Sequence, residues 1–231
     1  MPRTGNFEIK DGTLIKYTGH QRDVVIPNNV SIIGEEAFAE NESIKSVIIP
    51  DSVEYIGDNA FGACIKMEKV TIGEGVIVIG EGAFIECSSL KSVTIPDSVT
   101  HIKTWAFLDC PSLKSLKIGR SVEYIGQYAF QKCSSLRYVK IPNGVRTIDA
   151  GAFSNNPELE SVTIGDNVRI IEDRAFEHCD KLNEVIFGDN IEEIGKWVFS
   201  YCPSLHTLTI PNDRFFKKFC KSCGYDYVLK R

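Results

Sequence analysis

Long apolar runs are missing from this chain. No stretch of the 231 residues approaches the ~20 apolar positions that a membrane-spanning helix needs, so membrane insertion is not expected. Positions 1–10 lack the basic-then-apolar layout of an export signal. The location therefore stays open: cytoplasmic if the chain is complete, cell surface or secreted if a signal was trimmed. Histidine is scarce, and His20, His101, His178 and His206 stand in unrelated contexts. No Ser/His/Asp or paired-carboxylate arrangement emerges, so the sequence points to no catalytic residue, no metal and no cofactor. Gly73-Glu74-Gly75 and Gly80-Glu81-Gly82 do not have phosphate-loop spacing. A formal net charge of −5, with aromatics that do not interleave with the bases, argues against a nucleic-acid partner. An enzyme is not expected.

What is present is a repeat. Positions 23–206 divide without a gap into eight coils of 23 residues, beginning at 23, 46, 69, 92, 115, 138, 161 and 184. Fixed-period similarity of this kind overrides local readings. Within each coil the second and fourth residues are apolar, as in Val93 and Ile95. That alternation marks a short strand with one buried face. Pro or Gly at the fifth position (Pro96, Gly119, Pro142) stops the strand at the same place each time. An apolar pair three apart follows, such as Val99 and Ile102. Then comes Ala-Phe, replaced by Val198-Phe199 in the last coil, and finally a Cys or Asn three residues before an apolar closing residue. One coil cannot bury these side chains alone; stacked coils can. Successive strands should pair in parallel, and one Phe per coil should build an aromatic spine, offset-stacked or edge-to-face.

The run Leu90-x-x-Val93-x-Ile95-Pro96-x-x-Val99-x-x-Ile102-x-x-x-Ala106-Phe107-x-x-Cys110 resembles the BspA-like class of leucine-rich repeats. The resemblance implies a β-rich repeat solenoid with a parallel sheet on its concave face and short helical or 3-10 turns. It also implies a mostly bacterial or protozoan, often surface-exposed, family associated with adhesion and with protein or host-matrix binding. The expected organisation is one continuous unit: residues 1–22 as an N-terminal hairpin cap, 23–206 as the repeats and 207–231 as a C-terminal cap. The hairpin is read from two short apolar-alternating runs around Asp11-Gly12. In the second cap, Asp213 should start a helix with Phe215, Phe216, Phe219, Cys220 and Cys223 on one face and Gly224 at its end.

Six cysteines (Cys64, Cys87, Cys110, Cys133, Cys179 and Cys202) share a column with Asn41 and Asn156. Asn forms no disulfide, so the column asks for a small side chain that hydrogen-bonds the turn, and a ladder of buried reduced thiols is expected. Cys220-x-x-Cys223 reads as cap packing. Redox or zinc chemistry is the alternative, although no second ligand pair lies nearby.

In a solenoid the inward columns carry stability, so function should sit in the outward ones. Residues 23–101 hold 13 acids and 4 bases, residues 103–146 hold 2 and 8, and residues 147–213 hold 13 and 4. A basic middle between acidic flanks is a binding signal. Its candidate residues are Lys91, Lys114, Lys117, Arg120, Arg137 and Lys140, with Tyr138 as an apolar contact, on the concave sheet. A solvated basic face that binds nothing is the plain alternative. Trp105 and Tyr128, which precede Ala-Phe in adjacent coils, form a secondary aromatic flank, either a contact surface or partly buried packing. The function expected is a non-enzymatic binding module for a protein or glycan partner, with an anionic one favoured. A spacer array in a surface adhesin-like protein is the alternative.

Overall fold

A computed structural model of the chain describes residues 3–4 and 6–230; Met1, Pro2, Gly5 and Arg231 of the expected caps lie outside the described residues. The 23-residue coils stack into a β-solenoid with parallel sheets on two faces. On the first face each coil contributes a three-residue strand, from Asp23–Val25 to Glu184–Ile186, with Thr207–Ile210 after them. The middle residue of each points inward, as the apolar alternation requires. On the second face each coil contributes a two-residue strand, from Ile32–Ile33 to Glu193–Ile194. These pair in strict register, for example His101 with Tyr124 and Ile102 with Ile125. The isoleucine column is thus the buried half of a second sheet that the sequence reading did not anticipate.

The expected helical or 3-10 segment takes the form of tight turns. Two columns of each turn have left-handed backbone. One holds Glu36, Asn59, Gly82, Trp105, Tyr128, Gly151, Arg174 and Trp197; the other runs from Glu40 to Tyr201, and every φ lies between 50° and 62°. Neither column contains a β-branched residue, the type for which this conformation is least accessible. Between them the Phe N–H of each coil donates to the carbonyl of the next coil's Ala or Val, from Phe38 to Ala60 at 2.8 Å through Phe176 to Val198 at 2.9 Å. The phenylalanine rings stack face to face from Phe38 to Phe199, with centroids 4.7–5.7 Å apart and interplanar angles of 3–15°. One core cluster runs from Ile9 to Cys220.

Phe7–Lys10 and Thr13–Tyr17 form the antiparallel hairpin, turned by Asp11 (φ 50°) and Gly12 (φ 78°). Arg3–Thr4 adds an antiparallel strand, and the hairpin's second strand pairs in parallel with Ile32–Ile33, so the cap starts the second sheet. At the other end, Asp213 accepts a hydrogen bond from Phe215 N–H at 2.6 Å and starts the helix Arg214–Cys223. Gly224 closes it in the left-handed region at φ 76°. Its buried face is narrower than expected. Phe216 and Cys220 are buried and Phe219 packs beside them, whereas Phe215 and Cys223 are exposed. No helix among the described residues is long and apolar enough to cross a membrane.

The single parallel sheet expected on the first face is instead two five-stranded sheets. Ser115–Lys117 ends one and Tyr138–Lys140 begins the other, with no pairing between them.

Candidate functional site

The basic residues singled out from sequence sit on or beside the first face, on the strands Ser92–Thr94, Ser115–Lys117 and Tyr138–Lys140 and their flanks. All are exposed. Their partners divide them into two groups. Lys91 pairs with Glu68, Arg120 Nε lies 3.0 Å from Asp97 Oδ2, and Arg137 Nε lies 3.9 Å from Glu160 Oε1. Lys91 and Lys45 share Glu68 and hold its carboxyl below the usual carboxylate range. Like-charge repulsion among the six cations is therefore relieved at three of them. Among the described residues Lys114, Lys117 and Lys140 have no carboxylate partner. Tyr138 is 61% exposed, and its hydroxyl donates to Glu160 Oε2 at 2.8 Å. That carboxylate raises the phenol's pKa by accepting the proton's hydrogen bond.

The ion pairs follow the repeat. Among the described residues, seven of the ten link residues one coil apart in the same column, including Lys45–Glu68, Arg146–Glu123 and Lys181–Glu158. Acids and bases alternating down a column thus satisfy one another. Lys114 has Lys91 above it and Arg137 below; the column of Lys117 and Lys140 has Thr94 and Thr163 on either side. Neither column offers the three lysines an acid in an adjacent coil. That signal was available in the sequence once the columns were compared.

Trp105 and Tyr128 lie on the turn face, away from the lysine columns, at left-handed positions. Trp105 is 39% exposed, while Tyr128 is half-buried with its ring over the next coil's glycine, where a β-carbon on Gly151 would come within 2.4 Å of it. Further down the column the Arg174 guanidinium lies 5.0 Å from the Trp197 ring centre. A groove of about 580 Å³ at the turn between the two sheets was not foreseen. Thr100, Ser121, Glu123, Asn143, Arg146 and Arg169 contribute to it. Its arginines are engaged, Arg146 with Glu123 at 3.7 Å and Arg169 with Glu192 at 3.0 Å.

The cysteine column explains itself in this geometry. Each ladder Sγ–H donates to a phenylalanine carbonyl 26 residues earlier, at 3.1–3.4 Å, from Cys64 to Phe38 through Cys202 to Phe176. Asn156 Nδ2 makes the same bond to Phe130 O at 3.0 Å, and Asn41 Nδ2 reaches Gly19 O in the cap at 3.0 Å. Burial pushes the thiols of Cys64 and Cys110 up to about 12 and raises those of Cys87 and Cys133 well above the ordinary thiol value.

Coils of one length, a repeated strand–turn–strand course and a continuous Phe spine define a leucine-rich-repeat solenoid. The chain belongs to the family of the BspA type leucine rich repeat region, whose model matches in six copies over residues 9–137 and 106–224. It is similar to the crystal structure of the T. pallidum leucine-rich-repeat protein, with 28% identity over 98% of this chain and 97% of that one and a TM-score of 0.67. Other solved structures it matches are the pneumococcal vaccine antigen PcpA (18% identity, 91% of this chain and 79% of that one, TM-score 0.47) and a leucine-rich-repeat protein from Bacteroides capillosus (34% identity, 51% and 96%, TM-score 0.42). No curated protein matches the chain. A fold of this class serves as a binding or structural repeat module, is typically non-enzymatic, and usually takes protein partners.

Proposed function

We propose that this chain is a binding module that acts without catalysis and presents its first face to a protein partner carrying acidic side chains. One observation carries this reading. Seven ion pairs tie neighbouring coils together, yet Lys114, Lys117 and Lys140 stand close together on the first face with no carboxylate partner and no acid in the adjacent coils of their columns. Exposed like charges on neighbouring strands oppose the fold, so selection for stability alone gives no reason to keep them. Lys91, Arg120 and Arg137 add charge that their carboxylates partly screen, and Tyr138 adds an exposed ring beside them.

The test is a binding screen of the purified chain against matrix proteins, glycans and polyanions at two salt concentrations. Raising salt from about 0.1 M to about 1 M shortens the screening length from ~10 Å to ~3 Å. A partner held by this face should be lost over that range. Lys117→Glu combined with Lys140→Glu should abolish its binding while the melting temperature holds or rises. A double mutant that binds its partner at full strength would place the site elsewhere, with Trp105 and Tyr128 the next surface to mutate. The spacer reading is favoured by the ladders of ion pairs, in which surface charge ties coil to coil; it predicts no partner in any arm of the screen.

A further inference from the structure

The gap in the first face coincides with the charge anomaly. One coil earlier, Ile95 N–H donates to Lys117 O at 2.8 Å and Lys114 N–H to Lys91 O at 2.9 Å. One coil later, Ile141 N–H donates to Thr163 O and Glu160 N–H to Arg137 O, both at 2.8 Å. Between these coils the equivalent donors, Ile118 N–H and Arg137 N–H, have no main-chain partner among the described residues. The same two coils remain joined on the second face, where Tyr124 pairs with Thr147, and through the Phe107–Phe130–Phe153 stack. They are splayed on one side only. Leu116 is half-buried as a result, whereas Val93 and Val139 in the same inward column are 2% and 3% exposed.

The molecule contains its own control. The step from Gly73 to Pro96 is also loosened: Ile72 N–H lacks its partner, and only the Ser92–Lys69 pairing survives. There the facing outward residues are the uncharged Thr71 and Thr94. At the step from Gly119 to Pro142 the facing residues are Lys117 with Lys140 and Lys114 with Arg137, and all pairing is gone. At the third Gly-to-Pro step, Gly188 to Pro211, Phe187 N–H still donates to Thr209 O at 2.9 Å, so the step alone does not open a junction; the facing like charges at Gly119 to Pro142 do.

We infer that this seam is a latch held open by Lys114, Lys117, Arg137 and Lys140, and that its occupant is a short run of acidic side chains on a partner protein, whose carboxylates bridge the seam and let the strands pair. The inference rests on the binding reading above. A short run fits better than a long polyanion, because the nine net negative charges on either side repel an anion that extends past the basic middle.

The probe is a peptide with four consecutive glutamates between Gly-Ser flanks, added to the full chain at low salt and followed by hydrogen exchange. Without peptide, the Ile118 and Arg137 amides should exchange at least about tenfold faster than those of Ile141 and Glu160. Saturating peptide should slow them to the rates of those neighbours. Lys117→Thr with Lys140→Thr restores the residue found at Thr94 and Thr163, so it should slow both amides without peptide and weaken peptide binding about tenfold or more. If the double variant exchanges as fast as the native chain, the Gly119–Pro142 step and not charge holds the seam, and the latch is overturned. Peptide that binds without slowing exchange also overturns the latch and leaves the basic face standing. A sulfated polysaccharide that binds where the peptide does not overturns the acidic-segment occupant. Failure of every anion to bind removes the basic-face reading itself.

Discussion

At the scale of single residues, the column of Cys64, Cys87, Cys110, Cys133, Asn156, Cys179 and Cys202 shows how position constrains chemistry. Its requirement for a small hydrogen-bond donor was legible from Asn41 and Asn156 alone. The acceptor was not, since a carbonyl 26 residues earlier becomes a neighbour only when the coils stack. The thiolate is the reactive form of cysteine, and burial raises the thiol pKa of Cys64, Cys87, Cys110, Cys133 and Cys179; Cys202, lowered by its hydrogen bond with Cys179, is protected by its burial against reagent. An aromatic-disulfide reagent at pH 8 should therefore label one thiol rapidly in the folded protein, the exposed Cys223, and all eight in denaturant. Rapid labelling of ladder thiols would show that the stack opens far more than this packing allows. Asn156 fits its column less well, because its buried Oδ1 has no partner. An unsatisfied buried acceptor costs ~1–3 kcal/mol, against ~1 kcal/mol for the second hydrogen bond that its Nδ2 makes to Phe153 O. Asn156→Cys should thus raise stability by up to about 1 kcal/mol, measured by denaturant unfolding, and Cys110→Asn should fold with a loss of similar size.

At the scale of elements, the turns set limits that composition does not advertise. Lys132 has φ 59° and an exposed side chain, so its backbone conformation dominates the effect of replacing it. Left-handed backbone costs an L-residue ~1–2 kcal/mol and glycine almost nothing. Lys132→Gly should stabilise the protein by a few tenths to about 1 kcal/mol, and Lys132→Val should destabilise it by at least as much. Equal melting temperatures for the two would refute the strain argument. The same geometry accounts for the aromatic flank: Trp105 and Tyr128 are side chains of left-handed turn positions on the turn face. The second sheet escaped the sequence reading because its strands have two residues each, too few to display alternation. The cap helix was legible from Asp213 and Gly224, but its apolar stripe was wider than the surface available to cover it, which leaves Phe215 and Cys223 in solvent.

At the scale of the molecule, uniform coil length makes a solenoid whose parts touch only their neighbours. Eight spacings of ~4.8 Å give a repeat region ~40 Å long, and small-angle scattering should find an elongated particle of that order plus its caps. A compact globule of the same mass would contradict the stack. The sequence by itself determined the coil length, the inward columns, the Phe spine and the placement of the cysteines, because each depends only on a residue's phase within 23 positions. It also placed the unusual cations. Which of them lack an acid in the adjacent coils was readable from the columns, and tertiary structure brings the others within reach of theirs. Lys91, Arg120 and Arg137 meet carboxylates contributed by adjacent coils, while Lys114, Lys117 and Lys140 do not. Tertiary structure alone decided that the first face breaks between Ser115–Lys117 and Tyr138–Lys140, since strand pairing across a junction balances backbone geometry against facing charge, a sum that no single coil contains.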